Sequence, residues 1–258
     1  MRIKTNCSLE IGIGASSSWY LTKAFSELGH EIVTDNADLV VEIDGMPHVG
    51  KQEGAKYFFW DTDSFLHDPL PTAQDTYDKI FIAGAPEDLA KYPPGTVYLP
   101  HAFDPEFHNP HDEEKEFDIV MIGSMTNIYS ERMRLVNSLR QRFTVLEETR
   151  DPGHEYAKAL SKGKLIFNRS LGEQNIPMRF FEGLAIGTLL HNDTGNLDEF
   201  ATPHVHFIPY KNERDMLIQA EYYLNHDDER EEIARASREH ALSNHTYKHR
   251  AEEMLSYV

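Results

Sequence analysis

"PMRFFEGLAIGTLLHND", residues 177–193, decides how this chain folds. Asn175 and Pro177 mark a helix start, because proline tolerates the first turn, where its missing N–H would find no partner. Met178, Phe181, Leu184 and Ala185 then recur at helical spacing, and "GTLLHND" reads as a buried strand. A short apolar helix feeding a strand is one unit of a parallel α/β sheet. Arg179 and Glu182 stand three apart on another face of that helix, and an intrahelical ion pair is the simplest account of them. Their surroundings ask for more, since "NRSLGEQN" before and "NDTGN" after are polar segments leaving strands.

Outward from this point the same alternation fills the chain. "SLEIGIG" reads as a strand, and "SSWYLTKAFSELGHEI" as a helix stopped by Gly29. "DLVVEID", "KYFFWDTD", "KIFIAG" and "TVYLPHA" read as further strands. Residues 103–118, "FDPEFHNPHDEEKEFD", carry two prolines and many acids and read as a linker with solvated histidines. The pattern then restarts with strand "FDIVMIGS", helix "SERMRLVNSLRQRF", strand "FTVLEE" and the helix–strand run "YAKALSKGKLIFNRS". After the opening helix and strand comes "HVHFIPY", then a helical tail broken near Asn225 and Asn244. The spacing predicts two α/β domains, residues 1–108 and 109–258, with the last helix able to cross back to the first. Ligands of such sheets sit beyond the carboxyl ends of the strands, which between two domains means the cleft.

The composition narrows the function classes. The 258 residues are 40% hydrophobic and 26% charged, and no apolar run is long enough to span a membrane. Cys7 is the single cysteine, which excludes an internal disulfide and fits a reducing cytoplasm. The formal charge of −18 repels phosphate backbones and anionic lipid at long range, while leaving room for a local basic site.

Two glycine loops follow strands and open helices, where free backbone N–H groups suit an anion. "GIGASSSW" holds Gly14 and Ser16 and lacks the third glycine of a dinucleotide fingerprint. "IGSMTNIYSERMR" holds Gly123 and Ser124, with Arg132 or Arg134 downstream to meet a phosphate. In the first half Asp61, Asp63 and His67 follow one strand, and His101 and Asp104 another. Asp-x-Asp invites a metal, but the two-domain pattern argues against one, so no metal site is assigned. Asp61, Asp63 and His101 are instead candidates for acceptor-side chemistry, with helix capping the plain alternative for Asp63.

The stretch "NIPMRFFEGLAIGTLLHNDTGNLDEF" resembles the donor-binding core of group 1 glycosyltransferases, and the tail from His226 resembles their C-terminal helices. The likeness is nearest to the CgeB-like (spore maturation protein type) branch, on Asn175, Met178, Arg179, Phe181, Glu182, Ala185 and Gly187 and the closing His245, Thr246, Tyr247 and Arg250. This resemblance implies a GT-B fold, two Rossmann-like domains with parallel sheets facing across a cleft. It implies transfer of a sugar from a nucleoside diphosphate sugar, UDP foremost, with retention and without a metal or other cofactor. Glu182 would then bind the ribose, Arg132 and Arg179 the diphosphate, and Gly123 and Ser124 its backbone cradle, with Asn168, Asn175 and Met178 lining the donor site. Many relatives carry Glu-x7-Glu; here Gln174 holds the first place, beside Glu173. The acceptor, whether a glycan, a protein, a metabolite or a modified DNA base, and the oligomeric state are left open. So are two other readings, a non-catalytic nucleotide-sugar binding module and a GT-B epimerase or phosphorylase.

Overall fold

The structure, a computed structural model, describes residues 1–9, 16–44, 50–63, 76–148, 154–171, 175–193 and 196–258. The chain divides into two compact units. The first is Met1–Ala102, Gln174–Ile176 and His245–Val258, and the second is Phe103–Glu173 and Pro177–Asn244.

The first unit is built on six parallel strands, β1 (Arg2–Thr5), β2 (Glu31–Ile32), β3 (Leu39–Ile43), β4 (Lys56–Asp61), β5 (Lys79–Ile82) and β6 (Val97–Tyr98), in the order β2-β1-β3-β4-β5-β6. β3 and β4 are apolar almost throughout because both faces of a parallel sheet are covered. The opening strand is Arg2–Thr5 rather than "SLEIGIG". Of that run Ser8 and Leu9 lie outside any strand, and residues 10–14 lie outside the described residues. "RIKT" has only one apolar residue, Ile3, so its alternating burial escapes a search for apolar runs. Helix α1 (Ser17–Glu27) ends before Gly29, whose φ of +85° turns the chain into β2. The buried Arg250 guanidinium ties the C-terminal segment to this unit by donating to the carbonyls of Pro100 and His101. Tyr247 stacks on Tyr20 at 5.3 Å.

The second unit has five parallel strands, β7 (Phe117–Ile122), β8 (Val145–Glu148), β9 (Gly163–Asn168), β10 (Leu189–Asn192) and β11 (Ile208–Tyr210), in the order β11-β10-β9-β7-β8. Helices α2 (Ser130–Arg140), α3 (His154–Ser161), α4 (Met178–Ile186), α5 (Glu213–Leu224) and α6 (Asp227–Asn244) surround it, and α7 (Tyr247–Leu255) belongs to the first unit. One core joins Ile119, Met121, Leu165, Phe167 and Leu190 of the sheet to Leu135 and Leu139 of α2 and Met216 and Ala220 of α5.

Helix α4 is the stretch that opened the sequence reading. Nine residues are too few for a stable isolated helix, so packing must hold it. Phe180, Phe181 and Leu184 are fully buried, each contributing about 1.5–3 kcal/mol. Its last carbonyls, which have no partner within the helix, are met from α6, where Ser237 donates to Leu184 O and Arg238 to Ala185 O.

The supposed linker needs correction. Phe103, Phe107 and His108 are buried, and only its later residues, such as Asp112 and Glu114, are exposed. Phe103 and Phe107, four residues apart, are buried, and the segment groups with the second unit. The backbone N–H groups of Phe107 and His108 close a turn onto Asp104 O.

At the head of β9 an added Cβ on Gly163 would meet Val120 Cγ2 at 2.6 Å and the Leu165 carbonyl oxygen at 2.9 Å. Backbone cannot swing aside as a side chain can. Gly163→Ala is therefore expected to destabilise the protein by about 1–3 kcal/mol, read as a lower denaturant midpoint. An unchanged midpoint would contradict this packing.

Candidate functional site

In the second sheet the strand order reverses direction between β7 and β9, and ligands of such sheets gather at that point, beyond the carboxyl ends. Gly123 and Ser124 follow β7 directly, and Asn168 and Arg169 stand at the end of β9. From α2 the buried Arg132 reaches the same place. Its Nη1 donates to Ser124 O at 3.1 Å, its Nη2 to Arg169 O at 2.8 Å, and its guanidinium lies 4.2 Å from the centre of the Tyr129 ring. Arg134, the alternative from sequence, points away. It is exposed and paired with Glu131 and Glu213.

Arg179 comes in from the first turn of α4. A methyl group at Gly123 would overlap Arg179 Nη1, and Arg132 Nη1 would be 3.5 Å from it. Glycine thus lets the Arg179 guanidinium lie against the backbone, where a side chain would displace it. Neither arginine forms a salt bridge with a described carboxylate. Burial and the neighbouring Arg179 push the Arg132 pKa down to about 10, so both groups remain charged at neutral pH. Burial opposes the charge on Arg179 too, but Tyr156 and Glu182 beside it outweigh that and raise its pKa.

The expected ion pair between Arg179 and Glu182 is not formed. Tyr156 of α3 stands between them, its hydroxyl accepting from Arg179 Nε at 2.9 Å and donating to Glu182 Oε2 at 2.6 Å. Glu182 is 1% exposed, and its Oε1 lies 3.3 Å from His108 Nε2. The Asp104 backbone N–H donates to His108 Nδ1, which leaves the ring proton on Nε2, facing the carboxylate. Burial lowers the His108 pKa, outweighing the opposite pull of Glu182 and Asp104. His108 is therefore an internal partner of Glu182 and not a solvated linker residue.

Several buried polar atoms here lack a hydrogen bond: Arg132 Nε, Asn168 Nδ2 and Glu182 Oε1. Each such atom costs about 1–3 kcal/mol. Their concurrence around two cations that form no salt bridge with a described carboxylate marks a place built for a polar ligand.

Residues 106–256 match the family described as Glycosyl transferase-like. The chain belongs to that family. No curated protein matches it in sequence. Among solved structures, this family member resembles Anabaena Alr3699/HepE in complex with UDP and glucose (TM-score 0.67, 10% identity, 100% of this chain and 99% of that one). It also resembles the T4 phage BGT in complex with UDP-glucose (TM-score 0.65, 13% identity, 100% and 98%). Sucrose-phosphate synthase from Thermosynechococcus elongatus is a third (TM-score 0.60, 12% identity, 91% and 74%). The fold is GT-B, with a Rossmann-like parallel sheet in each unit.

The remaining candidates fall elsewhere. Met178, half-buried, opens α4 beside Arg179. Asn175 groups with the first unit, buried, its Oδ1 without a hydrogen bond. Ser16 caps α1 by accepting from Trp19 N–H, while Gly14, His67, Glu173 and Gln174 lie outside the described residues. Asp61 is buried and accepts from Tyr92 OH and the Asp63 N–H, whereas Asp63 is exposed. His101 is buried, with Nδ1 3.2 Å from Ser17 Oγ and a hydrogen bond to the Thr62 backbone. Among the described residues no group of three or more His, Cys, Asp or Glu could hold a metal, and no helix is long and apolar enough to cross a membrane. Sequence reasoning missed Tyr156, His108 and Arg169. Only Arg169 left a signal, as a cation directly after a strand.

Two buried histidines, His101 in the first unit and His191 in the second, give the stability of the fold a pH signature. Burial holds His101 and His191 down to about 4 against the ordinary 6.5, and for His191 Arg169 and Arg132 add to the effect. Both are neutral when folded and take up protons when unfolded below 6.5. Their contribution is complete above that pH and is lost as pH falls towards 4. At pH 5 each is expected to withdraw roughly 2 kcal/mol. Urea midpoints at pH 7 and pH 5 measure the loss, and His191→Gln should reduce it; equal midpoints at the two pH values would refute it.

Proposed function

We propose that the chain is a glycosyltransferase that moves a sugar from a nucleoside diphosphate sugar, UDP-linked, and meets the diphosphate with arginines. One observation carries this reading. Arg132 and Arg179 are held side by side over Gly123, and neither forms a salt bridge with a described carboxylate. Such a pair repels itself, and an anion carrying two or more charges relieves it. A diphosphate fits, through charge-assisted hydrogen bonds to both guanidiniums. It gains charge as the sugar departs, so the same groups stabilise the transition state more than the ground state. With arginines in that role, transfer should persist in EDTA.

Glu182 supports the nucleoside half of the reading. Oε2 serves Tyr156, and Oε1, 3.3 Å from His108 Nε2 but without a hydrogen bond, is the acceptor assigned to a ribose hydroxyl. The residue is closed from solvent, so this contact requires its surroundings to open on binding. Asn168 Nδ2 offers a donor nearby in the fold, at the end of β9. UDP is the first nucleotide to test, because UDP or UDP-glucose occupies solved structures of this fold.

The first unit is assigned the acceptor. His101 is buried, neutral at physiological pH and held by Ser17 and the Thr62 backbone, and Asp61 is held by Tyr92, so of these candidates the exposed Asp63 is the one assigned to act on an acceptor hydroxyl. In an inverting transfer it would be the base; in the retaining transfer implied by the resemblance to group 1 glycosyltransferases it would orient the acceptor. The charge of −18 favours an uncharged acceptor over a polyanion such as DNA.

Isothermal titration with UDP tests the assignment. Arg179→Ala and Glu182→Ala should each weaken binding by roughly 1.5–3 kcal/mol, the range for hydrogen bonds to a charged group. Asp63→Asn should leave UDP affinity intact and lower transfer. Unchanged UDP affinity in folded Arg179 and Glu182 variants would sink the reading, and UDP binding without transfer or donor hydrolysis would indicate a binding module.

A further inference from the structure

The proposed diphosphate site raises a question of orientation. Arg179 is useful to an anion only if both terminal amino groups are directed at it and stay unpaired. A direct bond from Glu182 would fix the guanidinium but cancel its charge. Instead Tyr156 OH takes the Nε edge at 2.9 Å, and neither Nη group of Arg179 hydrogen-bonds to a described residue. The hydroxyl is fixed in turn by its bond to Glu182 Oε2 at 2.6 Å, and the Tyr156 side chain is fully buried. His108 closes the chain from the other side of the carboxylate.

Resting on that reading, we propose that Tyr156 is a positioning residue. It is a neutral link that aims the Arg179 fork at the phosphates while keeping Glu182 from neutralising it. The chemistry favours a phenol over the alternatives. A tyrosine hydroxyl accepts one hydrogen bond while donating another, so a single uncharged group satisfies the guanidinium edge and the carboxylate together. Burial and the adjacent carboxylate raise its pKa, so it stays protonated and keeps donating to Glu182. Gly123 completes the arrangement, since any side chain there would displace the aimed Nη1.

The test uses the full chain and two ligands, UDP and inorganic pyrophosphate, measured by isothermal titration. Tyr156→Phe should bind both about tenfold more weakly or worse. In an Arg179→Ala background, adding Tyr156→Phe should change pyrophosphate affinity less than twofold, because the tyrosine acts only through that arginine. A purely structural role for Tyr156 would weaken binding in both backgrounds. Arg179→Lys keeps the charge and lacks the Nε edge, so it should also lose about tenfold. This variant carries the test if Tyr156→Phe does not fold. Wild-type affinity in either Tyr156→Phe or Arg179→Lys overturns the inference. Pyrophosphate binding with the expected Tyr156 dependence, but no UDP binding, upholds it and removes the UDP reading. UDP binding indifferent to Tyr156 does the reverse. A wild-type protein that binds neither ligand overturns both.

Discussion

The second unit is organised around a repulsion. Two guanidiniums, Arg132 from α2 and Arg179 from α4, are held over the same glycine, and neither is neutralised by a described carboxylate. Keeping two like charges together in a partly buried place is unfavourable, so the surrounding fold has to hold them there. Arg132 is pinned by the carbonyls of Ser124 and Arg169 and by the Tyr129 ring. Arg179 is pinned by Tyr156 and by the packing of α4, whose end is secured from α6. The strand order puts both at the point where the sheet reverses direction, so the topology and the electrostatics mark the same place.

The same economy of charge recurs in the first unit. Buried carboxylates are answered there by tyrosine hydroxyls: Tyr57 donates to Glu42 and Tyr92 to Asp61, as Tyr156 does to Glu182. In each case burial and the carboxylate raise the tyrosine pKa, so the donor stays neutral. Buried histidines follow suit and are held neutral. The arginines of the second-unit site, Arg132 buried and Arg179 half-buried, are thereby left for something other than pairing with a described carboxylate. Arg250, in contrast, gives its donors to the carbonyls of Pro100 and His101 and to His245 Nδ1, and serves the fold.

Much of the architecture was legible because it depends on local pattern. Apolar runs of four to six residues marked β3, β4, β7 and β9, and the breaks at Asn225 and Asn244 follow from their short polar side chains. β1 was missed because its burial alternates along a mostly polar tetrapeptide. The segment around Phe103 and His108 was misread because acids and prolines outnumber its two buried aromatics. Within the site, Gly123, Arg132, Arg179 and Glu182 stood out as charges or glycines in the wrong surroundings. Tyr156 did not, since a tyrosine on an amphipathic helix looks like any core residue. Its partners are 23 and 26 positions away, a distance that only the fold closes.

The most direct measurement is a crystal structure of the protein with UDP. The account requires the diphosphate to lie over Gly123, with oxygens within hydrogen-bonding distance of both Arg132 and Arg179, and Tyr156 still bonded to Arg179 Nε. A diphosphate seated elsewhere, with the two arginines unoccupied, would contradict it.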